Sequence, residues 1–362
     1  MRTIRITGTG SALPGRIVTN KELEQLVETS DEWIRERTGI AERHVSVGET
    51  VVTLASEAAR KALEQAGKRA EEIDLILVAT CSPEQYLPCC ACQVQAAIGA
   101  VNALAFDVNA ACSGFLFALN TADAYLRMGL AKNALIIGSE VLSKLVDWTD
   151  RGSCILFGDG AGAVVVERCR TESRAVEYSN ALAETEKGMQ ETAEEKRIPA
   201  AGILGRALHS DGTGGGVLQC GARELTTPYA GTSAAKADQN QPMDDRERFI
   251  QMDGQEVYRF ATRRVPQCIE EALSDAGLAV PDIDLFVLHQ ANARIIDAVA
   301  KRLHADRDKF PTNLERVGNM SSASIPVLLD ELNRQEKLHR GDRIVLAGFG
   351  AGLTIGACVM TW

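Results

Sequence analysis

The stretch KALEQAGKRAEEIDL (61–75) has a second copy in this chain: shifted by 210 positions, it falls on EALSDAGLAVPDIDL (271–285). Seven of the fifteen aligned positions are identical, including the Ala-Gly pairs at 66–67 and 276–277 and both Ile-Asp-Leu triplets. The same offset lays NALIIG (133–138) on RIVLAG (343–348), matching Gly138 to Gly348. It also lays Asn109 of VNAACSGF on Asn319 of GNMSSASI. One register held over three separate segments marks a duplicated structural unit.

Each copy has α/β character. Apolar residues at 55, 58, 59, 62, 63 and 66 form a helical stripe that Gly67 closes. Ile73 to Ala79 is then a nearly continuous apolar run, as expected of a strand covered on both faces. Val265, Ile269, Ala272, Leu273 and Ala276, followed by Ile283 to Leu288, repeat the pattern. Helices alternating with strands predict a layered α/β fold. The expected organisation is an N-terminal half over 1–169, an insertion-rich connecting region over 170–250 and a C-terminal half over 251–362. In the connecting region, ESRAVEYSNALAETEKGMQETAEEKRI is strongly charged and AGTSAAKADQNQPMDDRER is polar, which predicts exposed excursions. SDGTGGG (210–216) lacks a GxxxxGK[ST] pattern and reads as a flexible turn. GDGAG (158–162) reads as a tight turn joining two strands.

Composition narrows the function classes. At 362 residues, the chain exceeds what one hydrophobic core usually organises. With 45% hydrophobic and 24% charged residues it is globular rather than disordered or fibrous. A net charge of −10 argues against general nucleic-acid binding. No run of eighteen apolar residues occurs and MRTIRITGTGSALPG lacks a signal-peptide core, so neither a membrane span nor export is expected. Ten cysteines without an export signal suggest reduced thiols in a cytoplasmic protein. Cys81, Cys89, Cys90 and Cys92 crowd together, and the CxxC spacing of Cys89 and Cys92 admits a metal or redox site beside a packing role. Zinc would require a second ligand pair, and no His lies nearby in the sequence, so no metal is expected.

Three residues are candidates for chemistry. Cys112 follows the apolar run ALAFDV and opens the amphipathic segment ACSGFLFALNTADAYLRMG. At a helix N-terminus the backbone N–H groups and dipole favour thiolate, giving a nucleophile for a thioester carbonyl. A small buried cysteine is the alternative. His289 closes the apolar strand of FVLHQAN, just before a helix that Asn292 would cap. A structural histidine fits that pattern equally. Asn319 sits in a Gly/Ser-rich turn, but the offset pairs it with Asn109, three residues before Cys112. Two pseudo-equivalent helix starts facing each other would bring Cys112 and Asn319 together.

DVNAACSGF (107–115), VLHQANARII (287–296) and RVGNMSSASIP (316–326), in that order, resemble the three active-site motifs of beta-ketoacyl-[acyl carrier protein] synthase III. TSDEWIRERTGIAERH (29–44) and FGDGAGA (157–163) are similar to two further blocks of that family. The resemblance runs to AGFGAGLTIGA (347–357), interrupted mainly over 170–250. It implies a thiolase-like fold of duplicated halves in a layered α-β-α-β-α arrangement, in agreement with the internal repeat. The implied reaction is a decarboxylating Claisen condensation of an acyl-CoA primer with malonyl-[acyl carrier protein], which initiates fatty-acid synthesis.

By this resemblance, Cys112, His289 and Asn319 are the catalytic residues. Cys112 takes the acyl group, and His289 Nε2 and the Asn319 amide donate to the enolate oxygen left by decarboxylation. The backbone N–H groups of Cys112 and Ala351 form the oxyanion hole for the acyl group. The family commonly has glycine at the Ala351 position. Thr29, Trp33, Arg37, Arg151 and Asn292 are the implied CoA contacts, with an indole and a guanidinium sandwiching adenine. Leu87 and Phe349 belong to the acyl pocket, Leu87 reaching it from a partner subunit in a homodimer. Leu87 stands where well-known members have Phe, which suggests a primer that is branched or longer than acetyl. Arg259, Arg294, Lys301 and Arg302 would dock the acidic carrier protein. Coenzyme A enters as substrate and no cofactor is expected. Two other outcomes stay open. One is a related condensing enzyme or acyltransferase of polyketide or secondary-metabolite starter synthesis, and the other is a cysteine thioester hydrolase.

Overall fold

A computed structural model describes residues 2–170, 202–221 and 245–362. After β1 (Arg2–Ala12), the antiparallel pair β2 (Arg16–Thr19) and β3 (Glu42–Val45) brackets two helices, α1 (Asn20–Leu23) and α2 (Asp31–Thr38). The first half continues through α3 (Val51–Ala66), β4 (Leu75–Ala79), α4 (Cys90–Ile98) and β5 (Leu104–Val108). It ends with α5 (Gly114–Met128), β6 (Asn133–Glu140) and β7 (Gly160–Arg170). The second half opens with β8 (Gly202–Ser210), then a two-stranded ribbon of β9 (Leu218–Gln219) and β10 (Gln251–Met252). It continues with α6 (Gly254–Ala276), β11 (Leu285–Leu288), α7 (Ala293–Arg302), α8 (Leu314–Val317), α9 (Ser324–Arg334), β12 (Arg343–Gly350) and β13 (Thr354–Thr361).

Two sheets carry the fold, one of five strands in the order β1-β7-β6-β4-β5 and one of four in the order β11-β12-β13-β8. The duplication is visible residue by residue in their parallel ladders. Leu75 pairs with Ala134 in the first sheet, and Leu285 pairs with Ile344, each 210 positions later, in the second. Helices α3 and α6 end at equivalent alanines, each capped by a left-handed glycine, Gly67 and Gly277. The copies diverge at one edge. The segment equivalent to β5 is the short helix α8, so among the described residues the second sheet has four strands.

Strand alternation builds the layers. Leu75, Leu77, Ile344 and Leu346 point inward to a core shared with α5 and α9. Ile76, Val78, Leu135 and Ile137 point outward beneath α3 and α4. Phe286, Leu288, Val345 and Ala347 point outward beneath α6 and α7. The result is the expected α-β-α-β-α stack, with α5 and α9 as the middle layer. A helix between two sheets is buried nearly all round. In α5, accordingly, Phe115, Leu116, Ala118, Leu119, Ala122 and Leu126 are all buried. The one carboxylate on its buried face, Asp123, is held by Arg127 at 2.8 Å and by Arg206 of β8 at 2.6 Å.

Two expectations change. Residues 202–210 fall inside the expected connecting region but form the edge strand of the second sheet, because β13 needs a partner there. The two charged and polar excursions fall largely outside the described residues. GDGAG is not a hairpin turn: from Gly160 it is already β7, where Gly160 pairs with Glu140 and Gly162 with Gly138.

Close packing in the middle layer depends on a missing side chain. A Cβ on Gly138 would lie 2.2 Å from the carbonyl oxygen of Ser322, a backbone atom that cannot rotate away. Gly138→Ala is therefore expected to lower the unfolding free energy by about 1–3 kcal/mol. Urea denaturation measures it, and an unchanged midpoint would contradict this packing.

Candidate active site

The two helices of the middle layer start with the same backbone device. Each is preceded by a one-turn 3₁₀ segment, Ala111–Ser113 before α5 and Ser321–Ala323 before α9. The first residue of each turn is left-handed, Ala111 at φ 45° and Ser321 at φ 48°. Neither is glycine, so both positions are strained, a feature that concentrates at functional sites. Cys112 sits in the first turn, as its sequence context predicts.

Cys112, His289 and Asn319 all line one cavity of about 500 Å³. All three are nearly buried, at 9%, 3% and 7% exposure. His289 leaves the end of β11 with its backbone N–H on Ala347 O, and its Nδ1 lies 2.7 Å from Ser324 Oγ. That contact leaves Nε2 as the ring nitrogen for the cavity. Phe349 packs edge-on against the imidazole, 5.6 Å between centroids, and so limits its rotation. Asn319 is clamped by its backbone, which pairs with Phe157 through bonds to Leu156 O and from Gly158 N. Its Oδ1 accepts from Ser321 N–H at 2.9 Å. An amide must turn its oxygen to that donor, so the NH₂ group is the end left to donate.

Cys112 also lines a second cavity of about 400 Å³ with Cys81, Leu142, Leu145, Ile250 and Ala351. The nucleophile thus stands at the junction of two chambers. The end of β12 comes close beneath it: a Cβ on Gly350 would lie 2.6 Å from Cys112 N. Glycine at 350 lets the backbone of the 350–352 loop share the Cys112 main-chain neighbourhood.

The expected low pKa of Cys112 is corrected. Burial pushes the thiol up to about 12, against an opposing hydrogen bond from the Ser321 hydroxyl. The helix start is present, but desolvation outweighs it, so the resting side chain is a thiol. Burial likewise holds His289 down to about 3.

The other expected site residues fall into groups. Trp33, Arg37, Arg259, Asn292 and Arg294 line the larger cavity. The guanidiniums of Arg151 and Arg37 lie 4.9 Å and 5.7 Å from the Trp33 ring centroid. Asn292 caps α7 by accepting from Arg294 N and donates to Arg37 O, joining the two sides of the entrance. Thr29 does not begin α2: its N-cap is Ser30, which accepts from Trp33 N, and the Thr29 hydroxyl is buried without a hydrogen-bond partner. Arg294, Lys301 and Arg302 are exposed on α7, whose Ile295, Ile296, Val299 and Ala300 are buried as the stripe predicts. Arg259 is paired with Glu256, and Arg294 lies over the Tyr258 ring. Phe349 belongs to the larger cavity, beside His289, rather than to the smaller one. Leu87 is 85% exposed and lines neither cavity of its own chain. Sequence reasoning missed Phe157 and Leu218, which line both chambers, and the network around Ser321 and Glu140. The offset that pairs Ser321 with Ala111 was the available signal for the turn.

Among the described residues no group of three His, Cys, Asp or Glu side chains is arranged to hold a metal. No helix of the described residues is long and apolar enough to cross a membrane.

A group forced neutral by burial has a pH signature. The neutral His289 ring contributes fully to stability above its ordinary value of 6.5, and this contribution declines as pH falls from there towards about 3. The His289 ring resonances are therefore expected not to titrate between about pH 5 and 8. A ring-proton shift with a midpoint near 6.5 would contradict the buried geometry.

Comparison with known proteins gives the same family at every level. Residues 106–182 match the family described as 3-oxoacyl-[acyl-carrier-protein] synthase III, and residues 273–362 match its C-terminal model. The chain is 44% identical over 362 residues to beta-ketoacyl-[acyl-carrier-protein] synthase III of Clostridium acetobutylicum, covering 100% of this chain and 99% of that protein. Among solved structures, it is similar to 3-oxoacyl-[acyl-carrier-protein] synthase III from Aquifex aeolicus VF5. There the TM-score is 0.83 and the identity 38%, covering 99% of this chain and 100% of the other. It is also similar to the priming beta-ketosynthase of the R1128 polyketide pathway, at TM-score 0.82 and 33% identity, covering 99% of this chain and 96% of that one.

Proposed function

The chain belongs to the 3-oxoacyl-[acyl-carrier-protein] synthase III family, and from that premise we propose how its own residues perform the reaction. It is an acyltransferase of the condensing type, joining an acyl-CoA primer to malonyl-[acyl carrier protein] with loss of carbon dioxide, at the start of fatty-acid synthesis.

The observation that carries the site assignment is the meeting of Cys112, His289 and Asn319 in one cavity, with Cys112 also lining a second chamber. In acyl transfer the Cys112 sulfur attacks the thioester carbonyl of acyl-CoA, the S–C bond to CoA breaks, and CoA leaves with a proton. Because Cys112 rests as a thiol, its proton leaves as the new bond forms and passes to the departing CoA sulfur through His289 Nε2, in the tautomer whose Nδ1–H donates to Ser324 Oγ. The acyl oxygen meets the N–H groups of Cys112 and Ala351. Malonyl-carrier protein then enters by the same cavity and its carboxylate departs as carbon dioxide. The resulting enolate oxygen accepts from the Asn319 NH₂ and from His289 Nε2–H. Donation from Nε2 requires Ser324 to give its hydroxyl proton to Nδ1. In the resting geometry that hydroxyl donates to Ser321 O at 2.9 Å, so it turns to Nδ1 when the ring takes the Nε2–H form. The enolate carbon attacks the acyl-Cys112 carbonyl, the C–S bond to Cys112 breaks, and the 3-oxoacyl product leaves as the Cys112 thiolate takes a proton from solvent. Side chains and backbone donors account for each step, so the reading calls for no cofactor.

Trp33 with two guanidiniums near its ring supports adenine recognition at the cavity mouth, with Arg37 and Arg151 against phosphates and Thr29 and Asn292 alongside. The exposed Arg259, Arg294, Lys301 and Arg302 supply a local basic surface on a chain of net charge −10, which suits an acidic carrier. A homodimer is supported by the open edge of β5 beside exposed Leu87, Val101 and Leu104. In that assembly Leu87 would close the partner's acyl chamber and Phe349 would bound the reaction centre. The chain works in the cytoplasm, where its thiols stay reduced, and its two halves, from residue 2 and from Gly202, act as one unit. The likeness to a polyketide priming synthase favours one second reading, in which the carrier belongs to a secondary-metabolite pathway. The carrier protein that accepts the product separates the two.

The two half-reactions test the assignment. Asn319→Ala is expected to cut malonyl decarboxylation by about a hundredfold or more while Cys112 still takes up acyl groups. Cys112→Ser should abolish acyl uptake. Equal loss of both half-reactions in a folded Asn319→Ala protein would contradict these roles.

A further inference from the structure

Glu140 ends β6 directly behind the reaction centre and takes no part in the chemistry above. Its side chain is completely buried, at 0% exposure. Oε2 lies 2.6 Å from Ser82 Oγ, 3.1 Å from Cys81 N and 3.2 Å from Thr80 Oγ1. Cys81 N also approaches Oε1 at 3.3 Å, and Cys81 Sγ is 3.5 Å from both oxygens. The remaining contact is decisive. Ser322 Oγ is 2.8 Å from Glu140 Oε1 and also 2.8 Å from the Ala79 carbonyl oxygen.

An oxygen–oxygen contact this short is most favourable with a proton between the two atoms, and a serine hydroxyl has only one to give. A carbonyl oxygen has none. Ser322 can give its proton to only one of the two, and if it goes to Ala79 O, the proton of the second contact has to come from Glu140 Oε1. Oε2 remains the acceptor for Ser82, Thr80 and Cys81 N–H. We propose that Glu140 is a positioning residue that works as a neutral carboxylic acid, its O–H donating to Ser322 and locking the Ser321–Ala323 turn onto β4 and β6. The proposal rests on the reading that Cys112 and Asn319 carry the reaction, because that turn supplies the Ser321 N–H that orients the Asn319 amide.

Charge considerations agree. The titratable groups facing Glu140 are Cys81, after β4, and Cys112, ahead of α5; its other partners are hydroxyls and backbone. Burial raises the Glu140 pKa, and its hydrogen-bond donors only partly oppose this. An ionised Glu140 would disfavour negative charge on Cys112 during acyl transfer, whereas a protonated one does not. Neutrality thus lets a carboxyl group serve as a structural donor close to a nucleophile.

The test has a spectroscopic arm independent of activity. The infrared difference spectrum of wild type minus Glu140→Gln at neutral pH is expected to contain the carbonyl stretch of a protonated carboxyl, shifting in heavy water. Its absence would overturn the proposal, whatever the enzyme's activity. In parallel, Glu140→Gln retains a donor for Ser322 and is expected to keep most of the condensation rate. Glu140→Asp, too short to reach, should lose about a hundredfold in kcat with little change in acyl-CoA KM. Should Glu140→Asp stay active while Glu140→Gln fails, the charge rather than the donated proton matters, and the proposal is wrong. If the carboxyl band is present but neither chemistry runs in wild type, the functional reading fails instead.

Discussion

A helix sandwiched between two sheets has no wet face, so its ends carry all of its unsatisfied backbone groups. In this chain two such helices, α5 and α9, lie in the middle layer, and internal symmetry makes both begin at corresponding points. Everything chemical depends on that constraint. The turn before α5 presents Cys112, the turn before α9 aims the Asn319 amide, and the left-handed residues Ala111 and Ser321 give both turns their shape. Gly138 admits the Ser322 backbone and Gly350 approaches Cys112 N, so two bare strand positions let the turns and sheets meet. His289 joins them from the end of β11, in the strand layer next to α9.

Burial is also what tunes the site. It raises Cys112 and lowers His289, so both rest in their uncharged forms, and it raises Glu140 behind them. A site of neutral groups can bind a neutral thioester without displacing counter-ions. Charge develops only when sulfur attacks or when the enolate forms, and the fixed donors are worth most at those moments. The cationic residues stay at the mouth, where Trp33, Arg37 and Arg151 gather, and along α7.

Much of this was legible in the chain because a duplication is written twice. The 210-residue offset related Asn319 to the Cys112 turn, and the strand registers keep the same offset, Leu75–Ala134 recurring as Leu285–Ile344. The stripe of α7 and the cap at Asn292 followed from local periodicity and residue chemistry. What escaped depends on three-dimensional surroundings. A helix-start cysteine looks activated until its desolvation is known. The strand at 202–210 opens on Gly202 and carries Gly205 within it, so its place in the sheet comes from pairing with β13 rather than from pattern. Glu140 is one residue of a strand end, and nothing local announces that it is buried among three hydroxyls.

The central claim is that Cys112 is the covalent carrier at the junction of a ligand channel and an acyl chamber. Intact-mass spectrometry after mixing with straight and branched acyl-CoA esters, followed by peptide mapping, tests it directly. The account predicts a single acyl increment on the peptide holding Cys112, discharged as a 3-oxoacyl product when malonyl-carrier protein is added. An increment on another cysteine, such as Cys81 or Cys220 in the smaller chamber, or none with any ester, would contradict it.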